Sequence, residues 1–210
     1  MVELNCETDF VAMNDKFKAY GEKIANAALA SMAADVEALK AVEHEGETVE
    51  AIITDAVHVL GENTQLARVT TVEAPAVAVH GGGKIGVMVE FEVEGIDPAS
   101  AEFQAYGKDV AMQVAAIAPV AATRDSVDPE IVAHEMEIYK AQAAESGKPE
   151  NIQEKIASGR LEKFYKENCL TEQAFVKNSD QTVNQYTAEV AKNLGGEIKI
   201  LSFQRFVLGE

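Results

Sequence analysis

The sequence predicts an α+β chain made of two copies of one unit, each with a small antiparallel sheet packed against helices, and an antiparallel helical hairpin inserted in the second copy. Three observations carry this reading. Phe17-Lys18-Ala19-Tyr20-Gly21-Glu22-Lys23-Ile24-Ala25 aligns with Phe103-Gln104-Ala105-Tyr106-Gly107-Lys108-Asp109-Val110-Ala111 at an offset of 86 (103 minus 17). Thr48-Val49-Glu50 through Leu60-Gly61 aligns with Thr182-Val183-Asn184 through Leu194-Gly195 at an offset of 134 (182 minus 48), and a strand follows each. The offset therefore grows by 48 residues (134 minus 86), which is the length of an insertion between the matched helices of the second copy. Internal repeats bound the architecture before any motif is read. The expected division is 1–74 and 75–210, with the insert at about 128–168.

In chain order, Val2-Glu3-Leu4-Asn5-Cys6-Glu7 alternates, and Val2, Leu4 and Cys6 make the expected buried face of a strand. Asn14-Asp15 precede a helix whose stripe is Phe17, Tyr20, Ile24 and Ala27 or Ala28, running toward Ser31 and Met32. Asp35 starts a short helix through Val36, Leu39 and Val42. Gly46-Glu47-Thr48 opens another with Val49, Ile52, Ile53, Ala56 and Leu60 inward, and Gly61 closes it as a residue tolerant of positive φ. Leu66, Val69 and Val72 are strand-like. A strand at 76–80 meets one at 85–93 across Gly81-Gly82-Gly83-Lys84, which predicts a hairpin.

Val93-Glu94-Gly95-Ile96-Asp97-Pro98 then turns into the second-copy helix. In the insert, Asp128-Pro129-Glu130 is an N-cap with proline at the first helical position, and Ser146-Gly147-Lys148-Pro149-Glu150 is a stop followed by a new start. Two helices of about 16 to 18 residues, about 25 Å each, are expected there. Ile131, Ile138 and Tyr139 would face Ile152, Ile156 and Phe164 in an arm projecting from the body. A last strand is expected at 198–207. The strand at 85–93 has a hairpin partner before it, whereas its first-copy equivalent begins almost at Met1. The first copy is therefore expected to lack one strand, through shortening at the N-terminus, and to leave a sheet edge uncovered.

Eighteen basic residues against 35 acidic ones give a net charge of −17, the wrong sign for tracking phosphates, so nucleic acid is not an expected partner. No apolar run approaches the ~18 residues that cross a bilayer, and the N-terminus lacks the pattern of a signal peptide. A cytoplasmic protein is expected. Cys6 and Cys169 share no metal-type spacing and are expected to be reduced, buried thiols. His44, His58, His80 and His134 do not fall at metal-ligand spacing, and no Ser or Cys has a recognisable base nearby. No cofactor, metal or small-molecule substrate is expected. Gly81-Gly82-Gly83-Lys84 lacks the Lys-Ser/Thr of a phosphate loop and precedes a strand, which favours a turn.

One connection departs from the repeat. Where the second copy has ordinary turn chemistry, the first has Thr8-Asp9-Phe10-Val11. Two readings stand. Either Phe10 or Val11 folds back on the first helix as a hydrophobic staple, or Phe10 is an exposed aromatic held on a loop as an anchor for a partner. Asp9 could cap the turn or touch that partner.

Glu3-Leu4-Asn5-Cys6-Glu7-Thr8-Asp9-Phe10-Val11-Ala12 closely resembles the signature of the elongation factor Ts family, guanine-nucleotide exchange factors of translation. The resemblance continues through His80-Gly81, Ile85-Gly86-Val87, Ser146-Gly147-Lys148-Pro149, Gly159-Arg160 and Leu170-Thr171-Glu172-Gln173-Ala174-Phe175-Val176. It implies a core of two similar subdomains with an inserted coiled-coil hairpin, and elongation factor Tu loaded with GDP as the partner. It places Thr8, Asp9, Phe10 and Val11 in the exchange motif, with the phenyl ring entering a pocket near the nucleotide and its Mg²⁺, and matches His80-Gly81 to a looser contact. The arm would reach toward the partner's nucleotide-binding domain. Family members usually carry a small helical module before the signature, which does not precede it here. Such a protein is no enzyme. The competing readings are a structural or oligomerising subunit with Phe10 in the core, and a thiol enzyme using Cys6. Neighbouring carboxylates disfavour the second because they raise a thiol pKa.

Overall fold

In the computed structural model, residues 1–210 are described except Gly82 and Ser146, so one residue each of the 81–84 turn and the 146–150 stop lies outside the described residues. The chain forms two compact units, Met1–Glu73 with Phe206–Glu210, and Ala74–Arg205. The mixture of helices and small antiparallel sheets is an α+β fold, as the sequence predicts.

In the first unit, β1 (Val2–Asn5) pairs antiparallel with β4 (Gln65–Val69) in a two-stranded sheet. Between them come α1 (Asp9–Ala12), α2 (Asp15–Ser31), α3 (Val36–Lys40), β2 (Glu43–His44), β3 (Glu47–Thr48) and α4 (Val49–Leu60). The helix starts are those the side chains dictate. Asn14, Asp35 and Thr48 accept hydrogen bonds from Lys16 N, Ala38 N and Ala51 N. Gly61 ends α4 at φ 74°. Ile24, Ala27, Ala28, Leu39, Val49, Ile52 and Leu66 form the core.

The alternation of β1 is not the simple one expected. Glu3 is only 8% exposed, while Val2 and Leu4 are half-buried. A register shift between Glu3 and Leu4 breaks the period, and Arg68 pairs with the Glu3 carboxylate. The C-terminal residues complete the cover: Arg68 Nη2 donates to the Val207 carbonyl at 2.5 Å and stacks on the Phe206 ring, and Gly209 N donates to Glu3.

In the second unit, β5 (Ala76–His80), β6 (Ile85–Glu94) and β9 (Glu197–Val207) form a sheet in the order β5-β6-β9. Its helix α5 (Ala101–Ile117) starts at the Ser100 cap, three residues beyond Asp97, because Asp97 instead closes a local turn onto Ala99 N. Phe91 and Phe103 meet edge to face with centroids 5.5 Å apart, and Tyr106 completes the aromatic core. The arm comprises α6 (Pro129–Ala144) and α7 (Glu150–Asn168). Its fully buried residues are Ala143 and Ala157; of the residues expected to face one another, Ile138, Tyr139, Ile152, Ile156 and Phe164 are half-buried and Ile131 is exposed. At its root Arg124 pairs with Glu162 and Glu172 and lies over the Tyr165 ring. The unit closes with β7 (Ala174–Phe175), β8 (Asn178–Thr182) and α8 (Val183–Leu194). A small hairpin thus leads into α8 just as β2–β3 leads into α4.

Candidate functional site: the α1 corner

Thr8 is extended (φ −130°, ψ 152°), and its Oγ1 accepts from Val11 N at 3.4 Å, which starts a single helical turn where the sequence suggested a loop. Ala12 N donates to Thr8 O and Met13 N to Asp9 O, both at 3.1 Å. This turn holds Phe10 85% exposed. The ring is therefore no staple on α2 and no core residue. Met13, three residues on and 65% exposed, extends the same apolar face. Thr8 caps the turn, and Asp9 occupies its first position with its side chain in solvent.

The corner is tied down from a distance in sequence. Glu62, just past the Gly61 cap of α4, accepts from Glu7 N at 3.1 Å, Thr8 N at 3.0 Å and Thr8 Oγ1 at 2.5 Å. Cys6 is half-buried, not buried as expected, because it sits where β1 leaves the sheet; its Sγ donates to Thr8 O at 3.4 Å. Desolvation raises its pKa, the Glu62 charge adds to that, the Thr8 hydrogen bond opposes it, and Asp9 adds a smaller push upward. Cys169 is fully buried at the foot of the arm, where burial pushes its thiol up to about 11.

Thr8, Asp9, Phe10 and Val11 are thus brought together on one turn. His80 lies in the other unit, half-buried at the end of β5 opposite Val87, with Gly81 exposed beside it. Sequence reasoning missed Glu62 and Met13. The Gly61 stop immediately before Glu62 was the only local signal for the first, and the i, i+3 spacing from Phe10 for the second. Among the described residues no group of His, Cys, Asp and Glu is placed to hold a metal ion, and no helix is long and apolar enough to cross a membrane.

The elongation factor Ts family model matches residues 7–210. This chain belongs to the elongation factor Ts family. Relatives named elongation factor Ts align along its whole length: that of Clostridioides difficile (strain 630) is 48% identical, that of Trichlorobacter lovleyi 44% and that of Clostridium botulinum (strain ATCC 19397) 42%, and in each the chain covers 70% of the relative. Membership makes it a translation elongation factor, and the matched residues include the whole α1 corner.

Proposed function

We propose that this chain is a guanine-nucleotide exchange factor that binds elongation factor Tu in its GDP state and promotes GDP release by inserting the Asp9-Phe10 turn near the nucleotide and its Mg²⁺. The observation that carries this is the Phe10 ring, almost wholly exposed on a turn held by the Thr8 cap and the Glu62 carboxylate. A free-standing phenyl side chain leaves about 1.5 to 3 kcal/mol of burial unrealised, which insertion into a partner pocket recovers. Phe has two side-chain torsions, so little freedom is lost on entry. Release follows from reciprocity, since a wedge that prefers the nucleotide-free partner weakens GDP binding by the factor that GDP weakens its own.

In this reading Thr8 and Val11 shape the turn, His80-Gly81 and the arm at about 128–168 add contacts, and subdomains 1–74 and 75–210 present them. No bond is made or broken, so the chain is not an enzyme, and it carries no cofactor of its own. It works in the cytoplasm, where its partner would be found. The test is stopped-flow release of a fluorescent GDP from elongation factor Tu. The wild-type chain accelerates release. Phe10→Ala lowers that acceleration about thirtyfold or more, the scale of a dominant aromatic anchor, while stability changes by less than about 0.5 kcal/mol because the ring is exposed. Release no faster than spontaneous with the wild-type chain, or undiminished with Phe10→Ala, overturns the reading.

A further inference from the structure

Glu62 belongs to no part of the signature, yet its single carboxylate reaches the corner from the end of α4 and accepts from Glu7 N, Thr8 N and Thr8 Oγ1. Its own placement is built in. Gly61 adopts a left-handed conformation (φ 74°) that turns the chain out of α4, Gly61 N donates back to Val57 O at 2.9 Å, and the next residue but one past Glu62, Thr64, is buried. A carboxylate accepting from two backbone N–H groups and a hydroxyl makes charge-assisted bonds, stronger than their neutral counterparts. Bonding Thr8 at both N and Oγ1 also orients the hydroxyl lone pair that receives Val11 N.

The repeat supplies an independent observation. At the offset of 134 that matches the helices, Glu62 corresponds to Gly196 (62 plus 134). There a Cβ would fall 2.2 Å from the Glu94 carbonyl oxygen and 2.6 Å from Ile96 Cγ1. In both copies the residue after the helix-ending glycine meets the strand-to-helix connection. The second copy closes that corner by direct backbone contact. The first opens it by a side chain's length and fills the gap with a carboxylate.

We propose that Glu62 is a positioning residue for nucleotide exchange, the pin from the end of α4 that sets the direction in which the α1 turn presents Phe10. This rests on the exchange reading above. A hinge of a few residues carrying an exposed ring otherwise has freedom to lose on docking, and the pin removes it beforehand.

The test compares Glu62→Ala, Glu62→Gln and Phe10→Ala in GDP release from elongation factor Tu, with release followed over a range of chain concentrations and at a temperature where circular dichroism shows each variant folded. Amide hydrogen exchange at Glu7 and Thr8 is read in parallel. Glu62→Ala is expected to lower the limiting release rate about tenfold to a hundredfold, matching the loss of a charge-assisted anchor, and to speed amide exchange at Thr8. Glu62→Gln, which keeps a carbonyl for the two backbone N–H groups, is expected to recover most of both. A merely structural role would lower the unfolding temperature of both variants and leave exchange intact in whatever remains folded. Wild-type exchange by Glu62→Ala beside an impaired Phe10→Ala overturns the pin alone. Wild-type exchange by Phe10→Ala overturns the wedge, and the inference with it. If Glu62→Ala does not fold, a Glu62→Gln variant with wild-type protection but impaired release also counts against the pin.

Discussion

The two copies solve one corner in opposite ways. In the second, Gly95 (φ 71°) turns the strand end directly against Gly196, Ile96 tucks into the core, and Ser100 caps the helix. In the first, the strand ends in a separate helical turn that keeps Phe10 out of its core, held off by the Glu62 carboxylate. One unit thus spends its connection on packing. The other gives up that packing to present an aromatic ring. The presenting corner is therefore a modified structural joint, its modification split between the connection and a residue 54 positions further along the chain.

Of the two corners, the second is the more sensitive to an added methyl group, at Gly196. Gly196→Ala forces a Cβ to within 2.2 Å of a backbone carbonyl, which cannot rotate away, so a loss of about 1 to 3 kcal/mol or more is expected in thermal or urea unfolding. The corresponding Glu62→Ala removes a half-exposed side chain and cuts stability by less. Equal losses at the two sites would mean that the first corner is as close-packed as the second and that no joint has been opened.

A matched pair of helical glycines sharpens the same point with opposite signs. Gly107 in α5 faces β5 so closely that a Cβ would lie 2.6 Å from Ala78 Cβ, whereas at Gly21 in α2 the nearest atom is Leu4 Cδ2 at 3.9 Å. Gly107→Ala is expected to destabilise by about 1 to 3 kcal/mol through the clash. Gly21→Ala should stabilise by about 0.5 to 1 kcal/mol, since alanine costs less backbone entropy in a helix and meets ordinary contact distances. Calorimetric unfolding of both variants decides it. A loss at Gly21 would show that α2 sits on β1 as tightly as α5 sits on β5.

Much of this was legible in the sequence wherever a local rule dominates. Asn14, Asp35, Thr48 and Thr182 cap helices as their side chains dictate, Gly61 and Gly195 end them, and the repeat offset located the arm because insertion leaves both flanks in register. The exposure of Phe10 was not decidable, because a staple and an anchor share one pattern and only the fold determines which side of the turn the ring takes. Glu62 was invisible as one acidic residue among 35, with its partners more than 50 positions away. The hairpins β2–β3 and β7–β8 were missed because two-residue ladders carry no alternation to read. Gln113, fully buried in α5, escaped because its satisfaction comes from Gln173, Ala174 and Val176, on a segment that the insertion pushes far along the chain. Glu3 escaped for a related reason, since Arg68 and residues 206–210 bury it across long separations.

The smallest expected effect is read at a thiol. Cys6 stands beside the pin, and the Glu62 charge is the second cause, after desolvation, of its raised pKa. Thiolate is the reactive form, so at pH 8 alkylation of Cys6 should run slower than that of a free cysteine, rising about tenfold per pH unit until the pKa is passed. Glu62→Ala removes the negative charge, lowers the pKa and speeds labelling at fixed pH by a few-fold, less than tenfold because desolvation remains. Cys169, buried and pushed up to about 11, stays unlabelled in the folded chain and serves as the internal control. Looser packing of the corner would also speed labelling, but the two causes separate in the pH profile. A change in charge slides the rate curve along the pH axis and leaves its alkaline plateau unchanged, whereas a change in access lifts the plateau. A slide with no lift means that Glu62 acts on Cys6 by its field alone and the turn stays in place without it. A lift means that the α1 corner opens once the carboxylate is gone, as a pinned joint requires and a close-packed one does not.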